Sequence, residues 1–329
     1  MVVQVEGTAQ VDTTAQVGTA VQHAWYPVAS CGPQCIGPAR TAAGQVRMAL
    51  RGARLLVLVL MLACAAPIVW RFAPRYRGRL ARRSSRSVLA ALGVTLLVDD
   101  RRLVDGSEPE AINGLIVANH VSFLDVLAIA AIAPARFVAK SEVLAAPALG
   151  AVADRLGVIG IVRESLRELP GTIERVAAAL RHGSAVAVFP EGTTWCGGAS
   201  GRFAPALFTA ARAADVSITP MTVEYVEDGM HHCPAAAYIG DDSGLDTLRR
   251  VLAVRSMTVA VTVHPVVAPT RDRRADARTA QAVVLGGRRC GHWGTTGPMT
   301  VPHGVRRTVR VDPCRHAHAD SPSEGRRIR

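Results

Sequence analysis

Aromatic side chains are scarce in this sequence: 4% of residues, against 49% hydrophobic residues in all. A core must therefore be assembled from Ala, Val and Leu. Lysine is nearly absent as well, so almost all of the positive charge is arginine. With 38 Lys and Arg against 26 Asp and Glu the formal net charge is +12, and guanidinium charge persists at any physiological pH. Such an excess seeks an anionic partner: nucleic acid, an anionic membrane or a phosphorylated substrate. Aromatics interleaved with basic residues, the mark of a single-strand nucleic-acid surface, do not occur, and no nucleic-acid partner is expected. The seven cysteines, at 31, 35, 64, 196, 233, 290 and 314, are odd in number and irregular in spacing. A disulfide framework does not fit them, and a reducing compartment does. Cys290-x-His292 and Cys314-x-His316-x-His318 carry ligating side chains but match no common zinc finger, so no metal is assigned. There is no internal repeat.

A length of 329 residues allows one large domain or two smaller ones. Residues 1–46 carry almost no charge and no sustained period, and read as a disordered leader. Met48 opens MALRGARLLVLVLML, which has the look of a natural start. Leu55 to Trp70 then runs 16 residues without a charge, just under the roughly 17-residue minimum for a bilayer span. Arg47, Arg51 and Arg54 precede it, and Arg71, Arg75, Arg77, Arg79, Arg82, Arg83 and Arg86 follow. A signal peptide is not followed by so basic a stretch. Residues 47–87 are therefore expected to form a membrane anchor with a basic juxtamembrane segment, either a short span or a helix lying in one leaflet; the competing reading is a buried core helix. The heavier arginine load on the C-terminal side predicts that this side is cytoplasmic, where the basic run can rest on anionic headgroups.

From residue 88 the pattern becomes that of an α/β domain, expected to end near 268. Short apolar runs at 114–118, 136–139, 158–162, 185–189, 217–225 and 257–263 read as strands. Helical patterns at 122–132, 141–156 (interrupted by Pro147), 170–181, 204–214 and 245–252 separate them; 88–98 is helix or strand. Asn119 or Ser122 is available to cap the helix from 122, and Gly183 to end the one from 170. This alternation predicts a mostly parallel or mixed central sheet flanked by helices, with an N-terminal membrane-associated helical segment. Residues 269–329, where periodicity fails, read as a basic and disordered tail.

Polar groups stand at the ends of these strands. VANHVSFLD places His120 and Asp125 five positions apart, directly after an apolar run. A general base needs its imidazole held in one tautomer, and a carboxylate on the far nitrogen does this. GVIGIVR, from Gly157, ends in Arg163, whose fork suits phosphate; Lys140, closing RFVA, is a second candidate for the same contact. FPEGT runs from Phe189 to Thr193. Its proline, Pro190, stiffens a strand exit of the kind where α/β sheets bind ligands. Gly192 lets backbone N–H groups approach a ligand, Glu191 can bond a substrate hydroxyl or pair with a cation, and Thr193 and Thr194 offer hydroxyls. Pro220, in ITPMTVEY, is expected to kink a strand or mark an edge.

In this order NHVSFLD, FVAKSEV, GVIGIVR, FPEGTTW and ITPMTVEY resemble the four-block signature of the glycerolipid acyltransferases, over roughly residues 48–265. The likeness is strongest to bacterial 1-acyl-glycerol-3-phosphate acyltransferases. The resemblance implies that His120 takes the proton from the acceptor hydroxyl and Asp125 orients it, with attack on the acyl thioester and no acyl-enzyme. It implies that Arg163, Glu191 and Gly192, with Thr193 in the same block, bind the acceptor's glycerol-phosphate part. Pro220 matches the block linked to the acyl donor or the local fold, and Asn119, Gly157 and Pro190 are structural positions near the site. The expected substrates are 1-acyl-glycerol-3-phosphate, or alternatively another lyso-lipid such as a lyso-aminolipid, and acyl-CoA or acyl carrier protein. No cofactor and no metal is expected; the expected partners are the donor and membrane phospholipids, at the cell membrane on its cytoplasmic side. Two departures stand out. Gly160 occupies a position usually aromatic, and Thr194 and Trp195 follow FPEGT where Arg or Ser is usual, removing one cationic contact to phosphate. Two rival readings fare worse. A serine hydrolase needs a G-x-S-x-G elbow, and GASGR around Ser200 lacks the second glycine. A non-enzymatic membrane-binding protein leaves the ordered blocks unexplained.

Overall fold

A computed structural model of the chain describes residues 26–37, 41–72, 76–102, 111–145, 147–228 and 231–286. Most of the leader and of the tail, with Cys290 and Cys314, lies outside the described residues. The first helix, α1 (Gln45–Phe72), is followed by α2 (Arg77–Leu92) and β1 (Val94–Asp100). Then come β2 (Leu115–Ala118), α3 (Leu124–Ile132), β3 (Ala135–Lys140), α4 (Ser141–Ala145), α5 (Pro147–Leu156) and β4 (Ile159–Ile161). The chain continues through α6 (Leu169–Arg181), β5 (Ala185–Val188), α7 (Phe208–Ala213) and β6 (Ile218–Glu227). It closes with β7 (His231–His232), α8 (Gly244–Ala253), β8 (Met257–Val263) and α9 (Arg273–Gly286).

The strands form one mixed sheet in the order β1-β8-β6-β2-β5-β3-β4, with β7 added beside β6. Strands β6, β2, β5, β3 and β4 are mutually parallel, whereas β8, and β1 with it, run the other way. Strands β2, β5, β6 and β8 are buried on both faces, as central strands of such a sheet must be. Side chains alternate along each strand. In β2, Ile116 and Ala118 join the cluster covered by α2, α3 and α8, while Leu115 and Val117 join the one under α6, α7 and α9. Strand β5 alternates in the same way, Ala185 and Ala187 on one side and Val186 and Val188 on the other.

Four expectations need correction. The catalytic body does not end at 268: α9 buries Ala277, Ala280 and Val284, and its small apolar residues at helical spacing were hidden among arginines. The leader is not disordered throughout. Thr41 donates from its backbone N and its hydroxyl to Glu227, at 2.5 and 2.6 Å, Ala42 bridges Val254, and Cys31 is buried. Neither Asn119 nor Ser122 caps α3, whose N-cap is Phe123 without a side-chain bond. Pro220 marks no edge, because β6 is paired on both sides. Its carbonyl accepts from the His264 backbone N at 3.0 Å. Its missing N–H falls in the interval between the Ile218–Val267 bridge and the β6–β8 ladder that starts at Met221.

Helix α1 is long and apolar enough to cross a membrane over Gln45–Val69, and none of its most apolar window is buried. Its first turns belong to the protein body. Arg51 is buried and donates to the carbonyls of Leu252 (3.0 Å), Val254 (2.6 Å) and Arg255 (3.0 Å). A guanidinium there supplies donors to carbonyls that the end of α8 leaves unpaired. Helix α2 packs on both α1 and α3.

Candidate active site

Parallel strands share a carboxyl edge, and that edge gathers the polar residues. His120 lies two residues past β2, Glu191 three past β5, Lys140 ends β3, and Arg163 lies two past β4. Those four strands are neighbours in the order β2-β5-β3-β4, so His120 and Arg163 sit about 14 Å apart along the sheet at backbone level. Their side chains and a lipid headgroup span that interval.

His120 is fixed from several sides. Its Nδ1 is 2.8 Å from Oδ2 of Asp125. That oxygen also accepts from the backbone N of Val121 (2.7 Å) and Ser122 (2.9 Å), and Oδ1 accepts from the Tyr225 hydroxyl at 2.6 Å. Asp125 is fully buried in the first turn of α3. Four donors and a helix N-terminus offset the desolvation of its charge. The Phe189 ring stacks on the imidazole with centroids 3.9 Å apart and planes 10° from parallel. With Nδ1 committed to Asp125, Nε2 is the nitrogen left for a substrate. Burial, and then the Asp125 charge, push the Tyr225 phenol well above its ordinary pKa, so it stays a neutral donor.

The backbone around the imidazole is equally constrained. Asn119 is buried and bonds Val223 on β6 twice, donating from Nδ2 to O at 2.9 Å and accepting at Oδ1 from N at 2.8 Å. The His120 backbone N donates to Oε2 of Glu191 at 2.6 Å, and the His120 carbonyl accepts from the Trp195 N at 2.8 Å. Glu191 is 4% exposed, and its Oε1 accepts from the Gly201 N at 2.9 Å. The sequence offered Glu191 to a substrate hydroxyl or a cation; in the fold both of its oxygens accept from backbone amides, which ties the loop after β5 to the turn after β2. Pro190 is buried and its carbonyl accepts from the Ala204 N at 2.8 Å. Gly192 has φ +74, and a Cβ there would lie 2.7 Å from Cγ of Pro27, so residue 192 must be small.

Lys140 and Arg163 form the cationic end. Lys140 pairs with Glu142 at 2.9 Å and Glu164 at 3.2 Å, and the Glu142 hydrogen bond is the main cause holding its pKa above the ordinary value. Arg163 is half-buried, and among the described residues no hydrogen bond or ion pair engages its guanidinium. Burial pulls its pKa below the ordinary value, while Tyr26, Glu164 and Glu142 act against that shift. Gly160 departs from the family's aromatic for a visible reason: a Cβ there would meet Leu144 Cδ1 at 2.7 Å and Ser141 Oγ at 3.1 Å. Gly157, at φ +67, turns the chain into β4 and accepts at its carbonyl from Arg136 Nε at 2.7 Å.

Thr193 and Thr194 line a cavity of about 360 Å³ with Tyr26, Pro27, Val28, Ala29, Cys31 and the stretch 238–241. Thr194 donates to the Tyr238 carbonyl. The strap from Tyr26 to Ala29, the Phe189 stack and the Tyr225 hydroxyl were missed from sequence. The strap lies in a segment without periodicity, and Tyr225 comes 100 residues after the carboxylate it serves.

Comparison with known proteins adds to this geometry. The model of a family described as Acyltransferase matches residues 103–224. The chain is 34% identical over 260 residues to a lyso-ornithine lipid O-acyltransferase of Pseudomonas aeruginosa, covering 77% of this chain and 96% of that protein. It is 33% identical over 190 residues to a 1-acyl-sn-glycerol-3-phosphate acyltransferase of Neisseria meningitidis, covering 57% of this chain and 71% of that one. Among solved structures, the 1-acyl-sn-glycerophosphate acyltransferase of Thermotoga maritima aligns with a TM-score of 0.46 at 20% identity, covering 72% of this chain and 95% of that one.

Proposed function

Since this chain belongs to the acyltransferase family, we propose that it carries an acyl group from a thioester to the free hydroxyl of a lyso-lipid, with His120 as general base. The observation that carries this reading is the 2.8 Å contact between His120 Nδ1 and Asp125 Oδ2. An alcohol is ionised only at a pH far above 7, so its proton must leave as attack proceeds. His120 Nε2 takes that proton while the hydroxyl oxygen bonds to the thioester carbonyl carbon. The C–S bond then breaks, and the imidazolium returns the proton to the departing thiolate. Such assistance contributes about 10²–10⁴-fold, and fixing the hydroxyl against the thioester contributes more. No residue forms a covalent acyl intermediate, and the step requires no metal or cofactor. The donor is acyl-CoA or acyl carrier protein, which share the thioester.

The sequence put 1-acyl-glycerol-3-phosphate first among acceptors, and the surroundings of Arg163 favour the alternative. Arg163 and Lys140 bring two positive charges, and Glu142 and Glu164 bring two negative ones, so the headgroup end is close to neutral. A phosphate monoester carries nearly two negative charges. A zwitterionic headgroup with one carboxylate and one ammonium, as in a lyso-aminolipid, matches an arginine that no described residue hydrogen-bonds, beside two carboxylates. The first-named relative, a lyso-ornithine lipid O-acyltransferase, supports the same choice.

The helical entry supports a membrane-docked site. Arg51 fastens the start of α1 to the body, and α2 returns from the far end of α1 to pack on α3. Residues 55–72 extend the helix about 27 Å beyond the Arg51 anchor, and α2, with five arginines, cannot cross hydrocarbon. The pair reads as a hairpin set into one leaflet, with the body on the cytoplasmic side and its arginines on anionic headgroups.

The test is acyl transfer in membranes with a panel of lyso-acceptors, each with both donors. Lyso-aminolipid is expected to be the preferred acceptor. Preference for 1-acyl-glycerol-3-phosphate would overturn the acceptor reading and leave the chemistry standing. His120→Ala should stay bound to membranes and lose transfer; retained transfer would sink the base assignment.

A further inference from the structure

Three cysteines converge beside the catalytic loop. Cys31 and Cys196 are buried and Cys35 is half-buried, and their three Sγ atoms all lie within 4.8 Å of one another. All three are free thiols. They come from distant parts of the chain: Cys31 lies two residues before a 3-10 turn at Pro33–Cys35 that ends on Cys35, and Cys196 follows FPEGTTW. The backbone N of Cys196 donates to Cys31 Sγ at 3.4 Å.

We propose that Cys31, Cys35 and Cys196 bind one zinc ion through three thiolates, and that this ion fastens the 26–36 strap across the catalytic loop. Zinc–thiolate bonds of about 2.3 Å in a tetrahedron set sulfur atoms about 3.8 Å apart, so sulfurs already within 4.8 Å close on the ion with movements of under about an ångström. A disulfide would use two of the sulfurs and leave the third, beside it, without a role. Cys35, half-buried, leaves a side on which water completes the tetrahedron. In the site's favour, every ligand is a soft thiolate donor of the kind zinc takes, and no carboxylate that would favour magnesium or calcium belongs to the cluster. The consequence is local. Pro27 lies over Gly192, and Tyr26 is close enough to Lys140 and Arg163 to act on their charges. A clamp at residues 31–35 therefore sets the wall of the cavity beside the headgroup end. This role is structural, and it does not depend on which acceptor is used.

The experiment is metal analysis of the full chain, purified in detergent with a non-chelating reductant, with Cys31→Ser, Cys35→Ser and Cys196→Ser as variants. Cys64→Ser and the double replacement Cys290→Ser/Cys314→Ser are controls. About one zinc per chain is expected in the wild type and both controls, falling by about tenfold or more in each cluster variant. Should a cluster variant fail to fold, exchange of the wild type with cobalt decides. Thiolate-to-cobalt charge transfer with tetrahedral visible bands supports the site, and an octahedral spectrum overturns it. Metal-free wild type with three titratable thiols here, a disulfide among them, or zinc lost only with Cys290 and Cys314, would each overturn the proposal.

Discussion

The backbone amide of His120 donates to Oε2 of Glu191 at 2.6 Å, across 71 residues of sequence. Two loops from neighbouring strands are thereby locked together, and the imidazole is aimed by its main chain as well as by Asp125. Replacing Glu191 by Ala strips the acceptor from two backbone amides, those of His120 and Gly201. Each buried amide left unpaired costs about 1–3 kcal/mol. We expect a clear fall in Tm and a loss of kcat on the order of 10²-fold, from misplacement of the base. Glu191→Gln, whose amide oxygen accepts one of the two bonds, should recover part of both; equal damage from Gln and Ala would show that charge matters more than the tie.

Tyr225 bears on the same dyad from below. Tyr225→Phe removes the donor to Oδ1 of Asp125 and leaves the ring's packing in place. The prediction is a fall in kcat of about tenfold with KM for both substrates nearly unchanged, since a hydrogen bond to a buried charge is worth about 1.5–3 kcal/mol. A rise in KM without a fall in kcat would remove Tyr225 from the positioning of His120.

Arg163 should behave in the opposite way. Arg163→Ala removes the guanidinium at the headgroup end, and acceptor KM should rise by about 10²-fold while the donor's KM holds. Arg163→Lys keeps charge but not the fork and should recover only partly. Unchanged acceptor KM in both variants would place headgroup recognition elsewhere.

His264 makes stability depend on pH. It is 4% exposed and its Nε2 lies 2.8 Å from the Thr222 hydroxyl, which also donates to the Val284 carbonyl in α9. Burial, then repulsion from Arg101, lowers its pKa below the ordinary 6.5, with Asp99 opposing. The unfolded chain therefore takes up the proton first. The contribution is complete above about pH 6.5 and is lost as pH falls from there towards the folded value. Denaturation at pH 7.5 and 5.5 should show His264→Gln losing less stability on acidification than the wild type. An equal loss would clear His264 of this dependence.

Arg51 fastens the membrane helix, and its loss should be felt in the body. Arg51→Met leaves three carbonyls at the end of α8 without their donor. We expect a lower Tm, with about 1–3 kcal/mol lost per group that water cannot reach, while the protein still sediments with membranes through α1. Release from membranes would mean that Arg51, and not the apolar surface, does the anchoring.

Much of this protein was legible along the chain because the signals are local. A four- or five-residue apolar run is buried wherever it falls, so β2, β5 and β8 could be placed from composition and spacing. His120 and Asp125 could be paired because a strand-to-helix turn brings residues five apart together. Burial at long range could not be read this way. Glu191 could be singled out from sequence, but its tie to the His120 and Gly201 amides appears only in the fold. Tyr225 looks like a core aromatic until its hydroxyl meets Asp125. Helix α9 was masked by arginines on its outer side, and the strap at 26–36 by its want of any period. Local sequence determined which residues could do the chemistry. The order of strands in the sheet decided which of them meet, because loops on neighbouring parallel strands come together only once the sheet has formed.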